Sequence, residues 1–180
     1  MKPLAGKNRR LPGNCTSPQG ILYPRHSLIS GTMTVNSMTI DEAQDEIVEE
    51  FELFGDDGDM RNSYIIDLGR KLKPMVPEYH TEEYIVKGCQ AQVWVHTDKQ
   101  DDHLFFDADS NAAIPKGLIA LAVRLYSGRT PEEIAKTPPD FIERIGMSKH
   151  ISSSRSNGLL SVIGRMKQEA ARALAAESEK

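Results

Sequence analysis

Ala91-Gln92-Val93-Trp94-Val95-His96-Thr97 is followed by a polar run, Asp98 to Asp102, and then by Leu104-Phe105-Phe106. The first run is rich in β-branched and aromatic residues and predicts a strand. The second predicts another, and the short polar connection between them predicts an antiparallel hairpin. The surrounding sequence reads as helix. Upstream, Thr39 and Glu42 stand at capping-box spacing, and Ala43, Ile47, Phe51 and Phe54 recur at helical spacing as far as Gly55. Asp56-Asp57-Gly58-Asp59 predicts a turn; it lacks the later ligands of a calcium loop and reads as a solvated cap. Tyr64, Ile65, Leu68 and Leu72 predict a second helix stopped by Pro74. An extended stretch through Pro77 then leads to Lys87-Gly88-Cys89-Gln90.

Downstream of the hairpin, Ile114, Leu118, Leu121, Ala122 and Leu125 predict a strongly apolar third helix with Gly128 as its C-terminal cap. Thr130-Pro131-Glu132-Glu133 combines an N-cap, a first-turn proline and a capping-box glutamate, so a short helix follows, ended by Pro138-Pro139. Asp140 to Ile145 predicts one more helical turn, stopped at Gly146. Ser152 to Ser156 reads as a link, and Leu159, Ile163, Met166, Ala170 and Leu174 predict a final helix. The order of elements gives an α+β fold, a small antiparallel sheet packed with helices.

The composition fits that class. The chain has 180 residues, 39% of them apolar and 27% charged, with a formal net charge of -4. These values belong to a globular chain and argue against a dedicated nucleic-acid binder, which would show a basic excess. No apolar run approaches the roughly 20 residues that span a bilayer. Residues 1–37 hold Lys2, Lys7, Arg9, Arg10 and Arg25, several prolines and no Asp or Glu, and are read as a disordered basic extension. Met33 and Met38 stand as alternative starts just before the first helix. Residues 38–175 form one domain in this reading, and 176–180 a short tail. Two cysteines, Cys15 and Cys89, make a disulfide framework unexpected and point to a reducing cytoplasm.

The chemistry narrows to one residue. The histidines and cysteines show no paired metal-ligand spacing, and no glycine-rich nucleotide loop is present, so no metal and no cofactor are expected. Cys89 lies between Gly88, which permits a sharp backbone turn, and the strand beginning at Ala91. It reads either as a small buried apolar residue or as a nucleophile presented at a loop-to-strand junction. A Cys–His hydrolase built from Cys89 with His96 or His150 is a third option that no motif supports.

Gly88-Cys89-Gln90-Ala91-Gln92-Val93-Trp94 resembles the GCQSQVW motif of the SufE family, the sulfur-acceptor proteins of iron–sulfur cluster assembly, with Ala91 for serine as its one departure. Asp109-Ser110-Asn111-Ala112-Ala113-Ile114, running into Lys116-Gly117-Leu118-Ile119-Ala120, agrees with the family in order and spacing. So do His150-Ile151 and Ser154-Arg155-Ser156-Asn157-Gly158-Leu159. The resemblance covers roughly Thr39 to Leu174 and leaves the basic extension outside. It implies a fold shared with the NifU/IscU type of scaffold, and a persulfide-forming Cys89 beside an apolar cavity. The implied partners are a cysteine desulfurase of the SufS type, which holds the pyridoxal phosphate, and a scaffold of the SufBCD type. The implied protein is a carrier acting with its desulfurase rather than a stand-alone enzyme.

The supporting residues are read one by one. Arg155 either stabilises a sulfur anion or makes a structural ion pair at a helix start. Gly88 serves backbone geometry, and Gln90 or Gln92 bonds backbone around the loop. Trp94 reads as core. Other functions stay open: a docking module that activates a desulfurase without holding sulfur, a thiol-dependent hydrolase or oxidoreductase, and a cluster scaffold. A homodimer is neither required nor excluded.

Overall fold

The hairpin forms, and it is longer than its apolar residues suggest. In the computed structural model, which describes residues 38–147 and 152–178, β1 (Val93–Gln100) pairs antiparallel with β2 (His103–Ser110). The register runs from Val93 opposite Ser110 to Gln100 opposite His103. The predicted turn over Asp98 to Asp102 therefore shrinks to Asp101 and Asp102. Asp98, Lys99 and Gln100 are held in the ladder by their partners although nothing in their side chains favours a strand, and Asp101 takes a φ of 51°. A short aspartate tolerates that left-handed backbone better than a branched residue does. The strand also starts at Val93, two residues later than Ala91.

Val93 and Val95 face inward with Leu104, Phe106 and Ala108, all buried. Trp94 and His96 face outward. The chain between the second helix and the hairpin covers them through two 3₁₀ turns, Pro77–Tyr79 and Glu82–Tyr84, where an extended stretch was expected. The Tyr79 ring stacks on His96 at 3.6 Å, and His80 meets the edge of Trp94 at 4.8 Å and Asp109 at 3.1 Å. A two-stranded sheet thus has both faces covered, which an isolated hairpin in water lacks.

The helices follow their sequence signals closely. Helix α1 (Ile40–Glu52) has the Thr39/Glu42 capping box, and α2 (Gly58–Lys71) is capped by Asp57, whose carboxylate accepts from the Asp59 and Met60 amides. Two residues of the predicted acidic turn thus form the first residues of a helix. Helix α3 (Ala113–Tyr126) is central, with Leu118, Leu121 and Leu125 buried, and it packs against α1, α2, β2 and the last helix. Helix α4 (Pro131–Lys136) carries the Thr130/Glu133 capping box, and α5 (Phe141–Arg144) is the predicted single turn. Helix α6 runs Ser153–Ser178. It absorbs the serine-rich segment expected as a link and reaches past residue 175 into the expected tail. Serines are well placed at a helix start, where their hydroxyls serve free amides, so a polar run there does not break the element.

Residues 1–37 with Cys15, the His150-Ile151 pair, and residues 179–180 lie outside the described residues. Among the described residues no helix is long and apolar enough to cross a membrane.

Candidate functional site

Cys89 sits on a closed loop. The Val86 N–H donates to Val93 O at 2.8 Å, and Ile85 bridges Trp94, so Lys87 to Gln92 leave and re-enter the sheet at one point. Gly88 makes the reversal with a φ of +93°, as its permissive backbone suggested. A Cβ there would stand 3.0 Å from Ser161 Oγ. The far end of the loop is clamped. The Gln92 amide donates to Asn111 Oδ1 at 3.1 Å, the Asn111 side chain donates to Gln92 Oε1 at 3.3 Å, and Ser110 Oγ donates to Gln92 O at 2.9 Å. Gln92 thus fixes the loop's base, and its amide is spent on Asn111. The loop is thus tied to the hairpin at its base and reverses at glycine, and Cys89 lies between the two.

The thiol is half-buried. Its S–H points to the Gly158 carbonyl at 3.5 Å, and Gly158 lies on α6. A Cβ at 158 would stand 3.6 Å from the Cys89 sulfur, an ordinary van der Waals contact, so the helix backbone and the thiol lie directly against each other. Burial pushes the Cys89 thiol above the ordinary range. The contact with Gly158 acts in the same direction, because only the neutral thiol can donate it. Free in this geometry, Cys89 is a quiet thiol.

Beside it opens a cleft of about 440 Å³ between the loop, the start of α3 and the start of α6. Val93, Leu118 and Leu159 supply an apolar floor; Gln90, Asn111, Ser154 and Arg155 supply polar groups. Of the expected site residues, Cys89, Gln90 and Arg155 share this cleft. Gly88 and Gln92 shape the loop without lining it. Arg155 is exposed in the opening turn of α6. Asn111 and Gly158 stand in the matching motifs without a site role of their own; in the structure one is the clamp and the other is the thiol's partner. His96 lies on the outer face of β1 against Tyr79, whereas Val93 of the inner face lines the cleft. A Cys89–His96 pair therefore does not form, because the strand's alternation separates the two. Trp94 is partly buried on that same outer face rather than in the central core. Among the described residues no group of three or more His, Cys, Asp or Glu side chains is placed to hold a metal ion.

Comparison with known proteins identifies the family and the fold. Residues 45–170 match the model of the SufE family, described as an Fe-S metabolism associated domain. The chain is 39% identical over 131 residues to an uncharacterized SufE-like protein of Rhizobium meliloti, covering 70% of this chain and 93% of that one. It is 33% identical over 146 residues to an uncharacterized SufE-like protein of Synechocystis, covering 81% and 91%. The solution structure of a hypothetical protein from Thermus thermophilus superposes with a TM-score of 0.62 at 21% identity, covering 74% of this chain and 96% of that one, and shows the shared fold.

Proposed function

This chain belongs to the SufE family of iron–sulfur metabolism, and from that premise we propose that Cys89 accepts sulfane sulfur from a cysteine desulfurase and carries it as a persulfide. The observation that carries this reading is the placement of Cys89: the one cysteine among the described residues, half-buried on a loop that reverses at Gly88, facing a cleft with an apolar floor. The Cys89 thiolate attacks the outer sulfur of the donor's persulfide, the donor's sulfur–sulfur bond breaks, and the donor cysteine leaves as a thiolate. Apolar walls then keep water and oxidants from the new sulfur–sulfur bond. Cys89 is the one cysteine among the described residues, so no described thiol stands ready to attack the persulfide and release sulfide. The sulfur passes next to an iron–sulfur scaffold, in the cytoplasm, and the pyridoxal phosphate stays with the desulfurase. Intact mass after incubation with desulfurase and cysteine tests the reading: a gain of one sulfur atom on Cys89, removed by thiol reductant, is expected. Loading elsewhere in the chain, or none, overturns it.

The raised thiol sets a pH dependence. Without a partner, alkylation of Cys89 should climb with pH and still be climbing above about pH 8.5, where an ordinary free thiol is half ionised. A plateau below that pH would show that the loop already stands open. Adding the desulfurase should raise the alkylation rate at neutral pH, because docking must turn Cys89 out of contact with Gly158.

Gly88→Val tests the hinge. A branched residue at a φ of +93° is strained by roughly 1–2 kcal/mol. Where that strain displaces the loop, roughly tenfold fewer molecules hold Cys89 correctly. Sulfur acceptance should fall by about that factor while the melting temperature moves only by about 2–8 °C. A stability loss with acceptance unchanged in the molecules still folded would mean that the loop is a structural strut.

A further inference from the structure

The cleft is far larger than its proposed cargo. One added sulfur occupies a volume of the order of a water molecule, about 30 Å³, whereas the cleft holds about 440 Å³. That size falls in the range of small-molecule sites, roughly 300–1,000 Å³. Its lining is also one-sided in charge. Among the described residues that line it there is no Asp or Glu, and Arg155 is the one charged side chain. This is so in a chain whose formal net charge is -4. Two helix starts add to the same sign: Ser154 and Arg155 lie in the first turn of α6, and Ala112 precedes α3 without a side-chain cap. The Cys89 sulfur, an apolar floor and, alone in charge among the described lining residues, the Arg155 guanidinium thus stand around one space. They match a small molecule with a thiol at one end, a short apolar body and a carboxylate at the other.

We propose that the cleft binds low-molecular-weight carboxylate-bearing thiols, of the amino-acid or short-peptide class, and that the Cys89 persulfide hands its outer sulfur to them. The inference rests on the carrier reading of Cys89 and extends it to a second kind of acceptor. The bound thiol loses its proton to solvent, and its thiolate attacks the outer sulfur. A new sulfur–sulfur bond forms on the small molecule as the bond to Cys89 Sγ breaks. The electron pair of the broken bond stays on Sγ, which takes up a proton. The exchange is redox-neutral and needs no other reactant. Arg155 is a positioning residue here: it holds the carboxylate and so aims the sulfur.

The test uses the full chain, loaded by a desulfurase with cysteine and then freed of both. Loss of the persulfide is followed by intact mass with 3-mercaptopropionate, 2-mercaptoethanol or cysteamine at matched thiolate concentration. The expected result is saturation with 3-mercaptopropionate alone and a preference of about fivefold over 2-mercaptoethanol, the size of one partly exposed charge contact. Cysteamine should be slowest. Arg155→Gln should bring the ratio close to one, and Arg155→Lys should restore most of it. Rates linear in concentration for all three thiols, with a ratio that Arg155→Gln leaves unchanged, would overturn the proposal. Loading is scored separately. If Cys89 takes no sulfur, the carrier reading and the transfer step both fall. The binding half is then decided on the unloaded chain by the reaction of Cys89 with 3,3′-dithiodipropionate against cystamine, where a saturable, Arg155-dependent preference supports the site and its absence overturns it.

Discussion

Cys89→Ala is expected to abolish sulfur acceptance while leaving the fold in place. The substitution removes one sulfur atom from a half-buried position and the weak S–H contact at 3.5 Å to Gly158. The burial lost is of the order of one methylene, about 1 kcal/mol, so the melting temperature should drop by only about 2–4 °C. The chemical loss at this site is complete, because among the described residues no other thiol can take the sulfur, and the peptide that carries Cys15 is followed separately. Incubation with desulfurase and cysteine should leave the variant's intact mass unchanged. Stimulation of the desulfurase separates two mechanisms. A carrier speeds turnover by removing the donor's sulfur, so the alanine variant should not stimulate at all. A docking activator would work through contacts that Cys89→Ala leaves intact, and continued stimulation would give the protein that role instead.

The parts of this fold legible in the sequence are those fixed within a few residues. The boxes at Thr39/Glu42 and Thr130/Glu133 are local hydrogen-bond patterns, and both form. The apolar stripe of α3 needs only its own spacing. Where long-range contacts decide, the residue pattern misleads. Asp98 to Gln100 look like a turn but pair with His103 to Phe105, and Ser153 to Ser156 look like a link but begin a helix anchored by Leu159 and Ile163. The site divides in the same way. Cys89 and Gly88 stand out because they are neighbours in one heptapeptide, and the turn that Gly88 makes is a local property of the backbone. The cleft does not, because its walls come from Leu118 and from Gly158-Leu159, each far from Cys89 in the chain and unremarkable as residue types. That Gly158 meets a sulfur atom, or that Asn111 holds Gln92, follows from the crossing of α6 and α3 with the loop, which no local pattern encodes.

Gly117→Ala is expected to be the most damaging of the small substitutions. Gly117 lies inside α3, where helix propensity alone would favour alanine by about 1 kcal/mol. The packing reverses that sign. A Cβ at 117 would stand 1.9 Å from the Ile65 carbonyl oxygen and 2.6 Å from its carbonyl carbon, while close carbon–oxygen contacts settle near 3.3–3.6 Å. The obstruction is the backbone of α2, which cannot rotate aside as a side chain would. Gly69 meets the same crossing from the other helix, with its notional Cβ 2.8 Å from the Gly117 nitrogen. The helices would have to part by roughly 1 Å or more, opening gaps around the buried Ile65, Leu68 and Leu121. Overpacking of a rigid contact costs about 3 kcal/mol or more, so the net loss should lower the melting temperature by roughly 10 °C or prevent folding. Gly164→Ala is the matched control: it is helical, has nothing within 4 Å of its notional Cβ, and should be neutral or slightly stabilising. Thermal unfolding of the two variants beside the parent decides the matter. If Gly117→Ala melts with the parent, the close approach of α2 and α3 is not what holds this core together.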